Sequence, residues 1–196
     1  MRGIMAILSS ALLAACSVIG VRQGTEEPAY QVSATLGSVQ IRQYARRIAA
    51  ETVVSGDAQA ARGAGFRRLA GYIFGANQGG RRIAMTAPVA QARDAEGRWV
   101  IRFYLPAALT MAQLPQPSDP QLRLVEVPAQ NFAVLRFSGD RSPAAVAERE
   151  AELLAALPAS GWEAETEPVA WFYDPPWTLP WLRRNEVAVE VVRVDT

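Results

Sequence analysis

Histidine and lysine are both absent from the 196 residues, and cysteine occurs once, at Cys16. Without histidine there is no Ser-His-Asp or Cys-His relay, no His-ligated zinc site and no histidine axial ligand for iron. A single cysteine excludes an internal disulfide and a thiolate cluster for metal. Chemistry is therefore left to carboxylates, tyrosines, arginines or a bound cofactor. All 20 basic residues are arginine and 19 residues are acidic, for a net charge of +1, so no broad basic field exists to hold a nucleic-acid backbone. The apolar run at residues 4–16 is too short to cross a bilayer, which takes about 20 residues.

That run follows Arg2 and ends Leu13-Ala14-Ala15-Cys16. A positive start, a short apolar stretch and small residues before a cut are the parts of a secretory signal. A cysteine directly after the cut is the added demand of lipoprotein processing, which acylates its sulfur and its freed amine. The reading is a signal peptide over residues 1–15, a lipidated Cys16 with a linker to residue 27, and one domain over residues 28–196. Several acyl chains on Cys16 give stable tethering to a membrane. Ser17, in place of aspartate, points to an outer-membrane lipoprotein facing the periplasm. Loss of Arg2 brings the net charge of the mature chain to zero.

The 181 residues that remain suffice for one well-cored domain. Within them Val54-Ser55-Gly56-Asp57 recurs as Phe137-Ser138-Gly139-Asp140, 83 residues on. Thr86-Ala87-Pro88-Val89-Ala90 recurs as Thr166-Glu167-Pro168-Val169-Ala170, 80 residues on. The shared order suggests a duplicated strand, helix, strand, strand unit.

In the first unit, alternation predicts strand over residues 39–54 with a break near Tyr44. Asp57 caps a helix that Gly75 ends, and Arg62, Phe66, Leu69 and Ile73 share one stripe of it. Strands are expected over residues 82–90, holding Met85, and over 99–105, with Trp99, Ile101, Phe103 and Leu105 on one face. The second unit runs through strands at 122–127 and 131–137 into a helix capped by Ser142 and opened by Pro143. Strands at 169–173 and 186–194 close the domain, and a loop rich in proline and tryptophan lies between them. The expected class is α+β: an antiparallel sheet curved into a distorted barrel, with two flanking helices and two pseudo-symmetric halves.

Three stretches carry a family resemblance. They are Ala70-Gly71-Tyr72-Ile73-Phe74-Gly75-Ala76-Asn77, Ile83-Ala84-Met85-Thr86-Ala87-Pro88-Val89, and Tyr173-Asp174-Pro175-Pro176 with Arg183-Arg184-Asn185-Glu186. Together they resemble the SOUL heme-binding protein family over residues 27–194. The resemblance implies noncovalent binding of heme or another tetrapyrrole in a shallow apolar pocket beside the first helix. Here it points to Arg62, Phe66, Leu69 and Ile73, with Met85 nearby. A porphyrin offers apolar faces and two carboxylates, so Arg62 or Arg68 could pair with a propionate. With no histidine, ring binding without tight axial ligation is expected; Met85, Met111, Tyr72 and Tyr104 are the remaining candidate iron ligands.

A second class stays open. The same fold resembles gyrase-inhibitor-like modules that bind small molecules, some of them hydrolases using a buried glutamate. Glu51, Glu126 and Glu190 are the candidates for such a base. A third reading is an envelope interaction protein without a small ligand.

Overall fold

The computed structural model describes residues 24–158 and 160–194; the expected signal peptide and lipid attachment at Cys16 lie outside them. Among the described residues ten strands form one antiparallel sheet. In chain order they are β1 (Tyr30–Leu36), β2 (Val39–Tyr44), β3 (Arg47–Val54), β4 (Val89–Arg93), β5 (Trp99–Tyr104), β6 (Leu122–Val127), β7 (Gln130–Phe137), β8 (Trp162–Ala164), β9 (Val169–Phe172) and β10 (Asn185–Arg193). Helix α1 (Ala58–Ile73) follows β3 and α2 (Pro143–Ala155) follows β7. The order across the sheet is β1-β2-β7-β10-β9-β4-β5-β3-β6, with β8 beside β10.

The expected barrel is corrected here: the sheet is open. β1 and β6 stand at its two ends, and among the described residues no ladder joins them. The chain crosses between the two end regions at residues 45–46 and 128–129, which curls the sheet. Side chains link strands near the two ends. Arg47 of β3 stacks on Tyr44 of β2 and reaches Phe132 of β7, and its Nη2 donates to Gln130 Oε1 at 3.0 Å.

The helices cover one face, and the local sequence explains their placement. Asp57 accepts from the amides of Gln59 and Ala60, satisfying donors that the first turn leaves free. Between α1 and the sheet, Leu69, Tyr72 and Ile73 of the helix meet Ile101, Phe103 and Leu122, all buried. Each such side chain contributes roughly 1.5–3 kcal/mol when fully buried. Gly65 sets how closely α1 approaches the sheet. A Cβ there would stand 2.5 Å from Cγ1 of Ile101. Under α2, Leu153 and Leu157 pack on Val39, Ile41, Leu135 and Val187. The opposite face carries Tyr44, Phe132, Trp171 and Tyr173.

The strand expected over residues 82–90 begins only at Val89. Pro88 has no N–H to give to a ladder, and the segment before it is held by single contacts instead. Thr86 Oγ1 donates to the Tyr104 carbonyl and the Ala87 amide to that of Glu26. β1 and β8 were not expected from the sequence; both are edge strands, and five of the seven residues of β1 are exposed.

Candidate functional site

The stripe on α1 divides into two parts. Leu69 is wholly buried and Ile73 nearly so, both in the core between helix and sheet. Phe66, three residues before Leu69, is 38% exposed, with its ring 5.4 Å from that of Phe103 beneath it. Arg62, one turn earlier, is half-buried and lies over the ring of Phe172, 4.2 Å from its centre. Phe103, Val89 and Phe172 occupy paired positions on β5, β4 and β9, so they form an apolar row across three strands. Met85 is 39% exposed in the segment that leads into β4. Arg68 turns to β3 and donates to Thr52 Oγ1 at 3.3 Å.

A second guanidinium meets Arg62 at Phe172. Arg141, at the start of α2, lies 5.9 Å from the same ring. Both arginines give their hydrogen bonds to neutral oxygens: Arg62 to Gln91 Oε1 at 3.1 Å, and Arg141 to the Asp174 carbonyl at 3.1 Å. Burial makes the charged state of Arg62 costlier and pushes its pKa below the usual arginine range. Burial, then repulsion from Arg62 and Arg183, pushes Arg141 down to about 10, against a smaller attraction from the Asp174 carboxylate. Two half-desolvated cations beside an exposed phenylalanine form a surface suited to a flat, apolar dianion.

The remaining family motifs hold this surface in place. Asn77 is buried after the end of α1. Its Nδ2 donates to the carbonyls of Tyr72 and Arg81 at 2.8 and 2.7 Å, and its Oδ1 accepts the Arg81 amide at 2.9 Å. The side chain thus caps a helix carbonyl and shapes the loop to Ile83. The 173–185 loop is closed at its neck by the Arg184 amide on Asp174 Oδ2 at 2.7 Å.

The other face of the sheet holds two buried carboxylates. Glu51 accepts from Arg102 and from Arg123 at 2.7 Å. Glu186 accepts Arg42 Nη1 at 2.9 Å and the Tyr173 hydroxyl at 2.7 Å on one oxygen, and Arg42 Nη2 and Arg184 Nε on the other. Four donors occupy the lone-pair sites of that carboxylate, leaving none to take a substrate proton. Glu126 is exposed, and Glu190 is bound by Gln130. A cleft of about 230 Å³ lies beside Arg42, Arg136, Arg184 and Glu186, with a polar lining. That volume falls below the few hundred Å³ usual for a small-molecule pocket.

Arg141, Arg42 and Glu186 did not emerge from the sequence as site residues. Arg42 meets Glu186 144 residues away, and Arg141 meets Asp174 33 residues away and Phe172 through its ring face, so no local spacing signals them. Of the candidate iron ligands, Tyr72 and Tyr104 are buried, and the Tyr72 hydroxyl donates to the Pro115 carbonyl at 2.9 Å. Met85 is the candidate with an open sulfur-bearing side chain. Among the described residues no group of three His, Cys, Asp or Glu side chains is placed to hold a metal ion.

An open antiparallel sheet with two helices on one face defines an α+β class found in other solved structures. A C-terminal domain of EcmrR aligns with a TM-score of 0.55 at 13% identity, covering 84% of this chain and 99% of that one. A hydrolase from Listeria innocua aligns with a TM-score of 0.56 at 13% identity, covering 82% and 94%. An EcmrR–DNA complex aligns with a TM-score of 0.60 at 12% identity, covering 98% and 67%. At these identities the likeness is one of fold. No curated protein matches the sequence. The SOUL heme-binding protein model matches residues 25–190, and the chain belongs to that family.

Proposed function

We propose that this protein is an envelope lipoprotein that binds heme or a related tetrapyrrole noncovalently on the surface formed by Arg62, Phe66, Val89 and Arg141. Family membership implies a tetrapyrrole ligand. The observation that carries the location is the convergence of Arg62 and Arg141 over Phe172, both bonded to neutral oxygens, one helical turn from the exposed Phe66. The ring's apolar face would lie against Phe66 and Val89, and its propionates would answer the two guanidinium groups. Leu69 and Ile73 support the helix from beneath. Iron, when present, would supply a Lewis-acidic centre, and Met85 is the side chain available to approach it. Affinity then resides in the ring and its carboxylates, so iron-free porphyrin should bind as well as hemin. The hydrolase reading draws no support from Glu51 or Glu186, whose oxygens are held by arginine.

The test is an absorbance titration of the mature protein with hemin and with iron-free protoporphyrin, repeated on Arg62→Ala, Arg141→Ala and Phe66→Ala. Saturable one-to-one binding of both rings, weakened by each substitution, is expected. Binding that all three changes leave untouched would place the ligand elsewhere.

A further inference from the structure

The loop between β9 and β10 presents more apolar surface than folding can explain. Trp177 is 63% exposed and Trp181 is 68% exposed. Pro176, Pro180 and Leu182 are exposed beside them. The loop is nonetheless rigidly built. Arg183 Nε donates to the Thr178 carbonyl at 2.7 Å and its Nη2 to that of Pro176 at 2.9 Å. The Gly139 amide donates to the Pro180 carbonyl at 2.8 Å, and Pro180–Leu182 forms a single 3-10 turn. The two indoles are held outward on a fixed frame, so little ordering entropy is lost when they are covered.

The chain's own N-terminal segment arrives at this loop. Glu27 accepts from Arg184 Nη1 at 2.9 Å, two residues after Leu182. Glu26 is tied down as well: its carbonyl accepts the Ala87 amide at 2.9 Å and its carboxylate the Ala107 amide at 2.7 Å. From Cys16 to Glu27 the chain is eleven residues long and reaches at most about 40 Å when fully extended. An acylated Cys16 would therefore hold the Arg184 end of the domain within about 40 Å of the bilayer.

We propose that Trp177, Trp181 and Leu182 dock on the lipid surface of the membrane that carries the Cys16 anchor, fixing the orientation of the domain. The proposal rests on the lipid-anchor reading of Cys16. Tryptophan suits this role because its ring is apolar and its N–H stays wet, the combination enriched at membrane interfaces. The loop supplies rotational restraint, while the acyl chains supply the attachment. A flat platform is not required: two indoles and a leucine within six residues can enter the headgroup region together.

The experiment uses the full lipidated protein in vesicles of phosphatidylethanolamine and phosphatidylglycerol, with bromine-labelled acyl chains as a contact quencher. Mass spectrometry of the mature protein first reads acylation at Cys16. The emission of Trp177 and Trp181 is taken as the difference between the native protein and its Trp177→Phe, Trp181→Phe double variant. Blue-shifted difference emission that brominated lipid quenches and aqueous acrylamide does not is the expected result. An acylated, membrane-bound protein whose two indoles stay open to acrylamide overturns the docking and leaves the anchor intact. The same holds if their emission is shielded only after a protein partner is added. An unacylated Cys16 removes both the anchor and the docking. Unchanged circular dichroism of the double variant shows that the substitutions act on the surface alone.

Discussion

Arg42 and Glu186 stand 144 residues apart in the chain and meet as a two-bond ion pair on the helix-free face of the sheet. Their strands, β2 and β10, are not neighbours; β7 runs between them. The pair therefore bridges β2 and β10 across β7 through side chains. Arg184 and the Tyr173 hydroxyl complete the set of donors on Glu186, which is wholly buried. Arg184 continues the network to Glu27.

Removing the carboxylate should be the costliest change in this network. Glu186→Gln leaves Arg42 and Arg184 buried with one neutral acceptor between them, and a loss of about 3–5 kcal/mol is expected. Arg42→Met should cost less, because Arg184 and Tyr173 still hold the carboxylate. Denaturant unfolding measures both; an Arg42→Met protein less stable than Glu186→Gln would show that the carboxylate is not the centre of the network.

Stability should fall at alkaline pH. Burial raises the Tyr173 phenol above its ordinary value, with the Glu186 charge adding to the effect, and burial first raises Tyr44 to about 12 from 10.0. A folded-state pKa above the unfolded one means that the unfolded chain loses protons first as pH rises. The contribution of Tyr44 is thus intact below pH 10.0 and is lost as pH rises toward about 12. Phenolate absorbance followed through unfolding at stepped pH should show the loss, and Tyr173→Phe should make the slope shallower.

Two glycines of α1 should respond in opposite ways to alanine. At Gly65 the new methyl would collide with Ile101, and overpacking is expected to cost about 1–3 kcal/mol despite the better helix propensity. At Gly63 the nearest atom is the mobile Arg67 Nη1 at 3.6 Å, so a gain of up to about 1 kcal/mol is expected. Thermal unfolding of the two variants reads the difference directly.

Phe66 and Leu69 should separate binding from folding. Leu69→Ala opens a hole in the core beneath α1 and should cost about 2–5 kcal/mol. Phe66→Ala removes a half-open ring and should weaken porphyrin binding with a much smaller change in stability. Parallel titration and unfolding test this; equal losses of stability would make Phe66 a core residue like its neighbour.

Much of the fold is legible in the sequence. Asp57 and Ser142 cap the two helices at the expected residues, and residues 122–127 form the expected strand. The alternation over residues 99–105 also holds, with Ile101, Phe103 and Leu105 under α1 and Tyr104 on the other face. Local patterns of this kind are set by period and by backbone donors, which a single sequence displays. The edge strand β1 leaves no such signal, because most of its residues face water and carry no apolar rhythm. The Arg62–Phe66 face was half legible: the stripe was visible, but the point at which it turns from core to surface was not. That division depends on how α1 lies on β5, which the contact of Gly65 with Ile101 decides.

The sequence by itself determined the excluded chemistries, the helix boundaries, the faces of β5 and the family, because composition, caps and motif order are properties of the chain alone. Tertiary structure decided the rest. It left the sheet open: among the described residues β1 and β6 do not pair, and Arg47 on Tyr44 and Phe132 links the strands next to them through side chains instead. It also brought Arg141 to Arg62 over Phe172. Charges that repel gain nothing from nearness in sequence, and only the packing of α1, β9 and the start of α2 holds these two together.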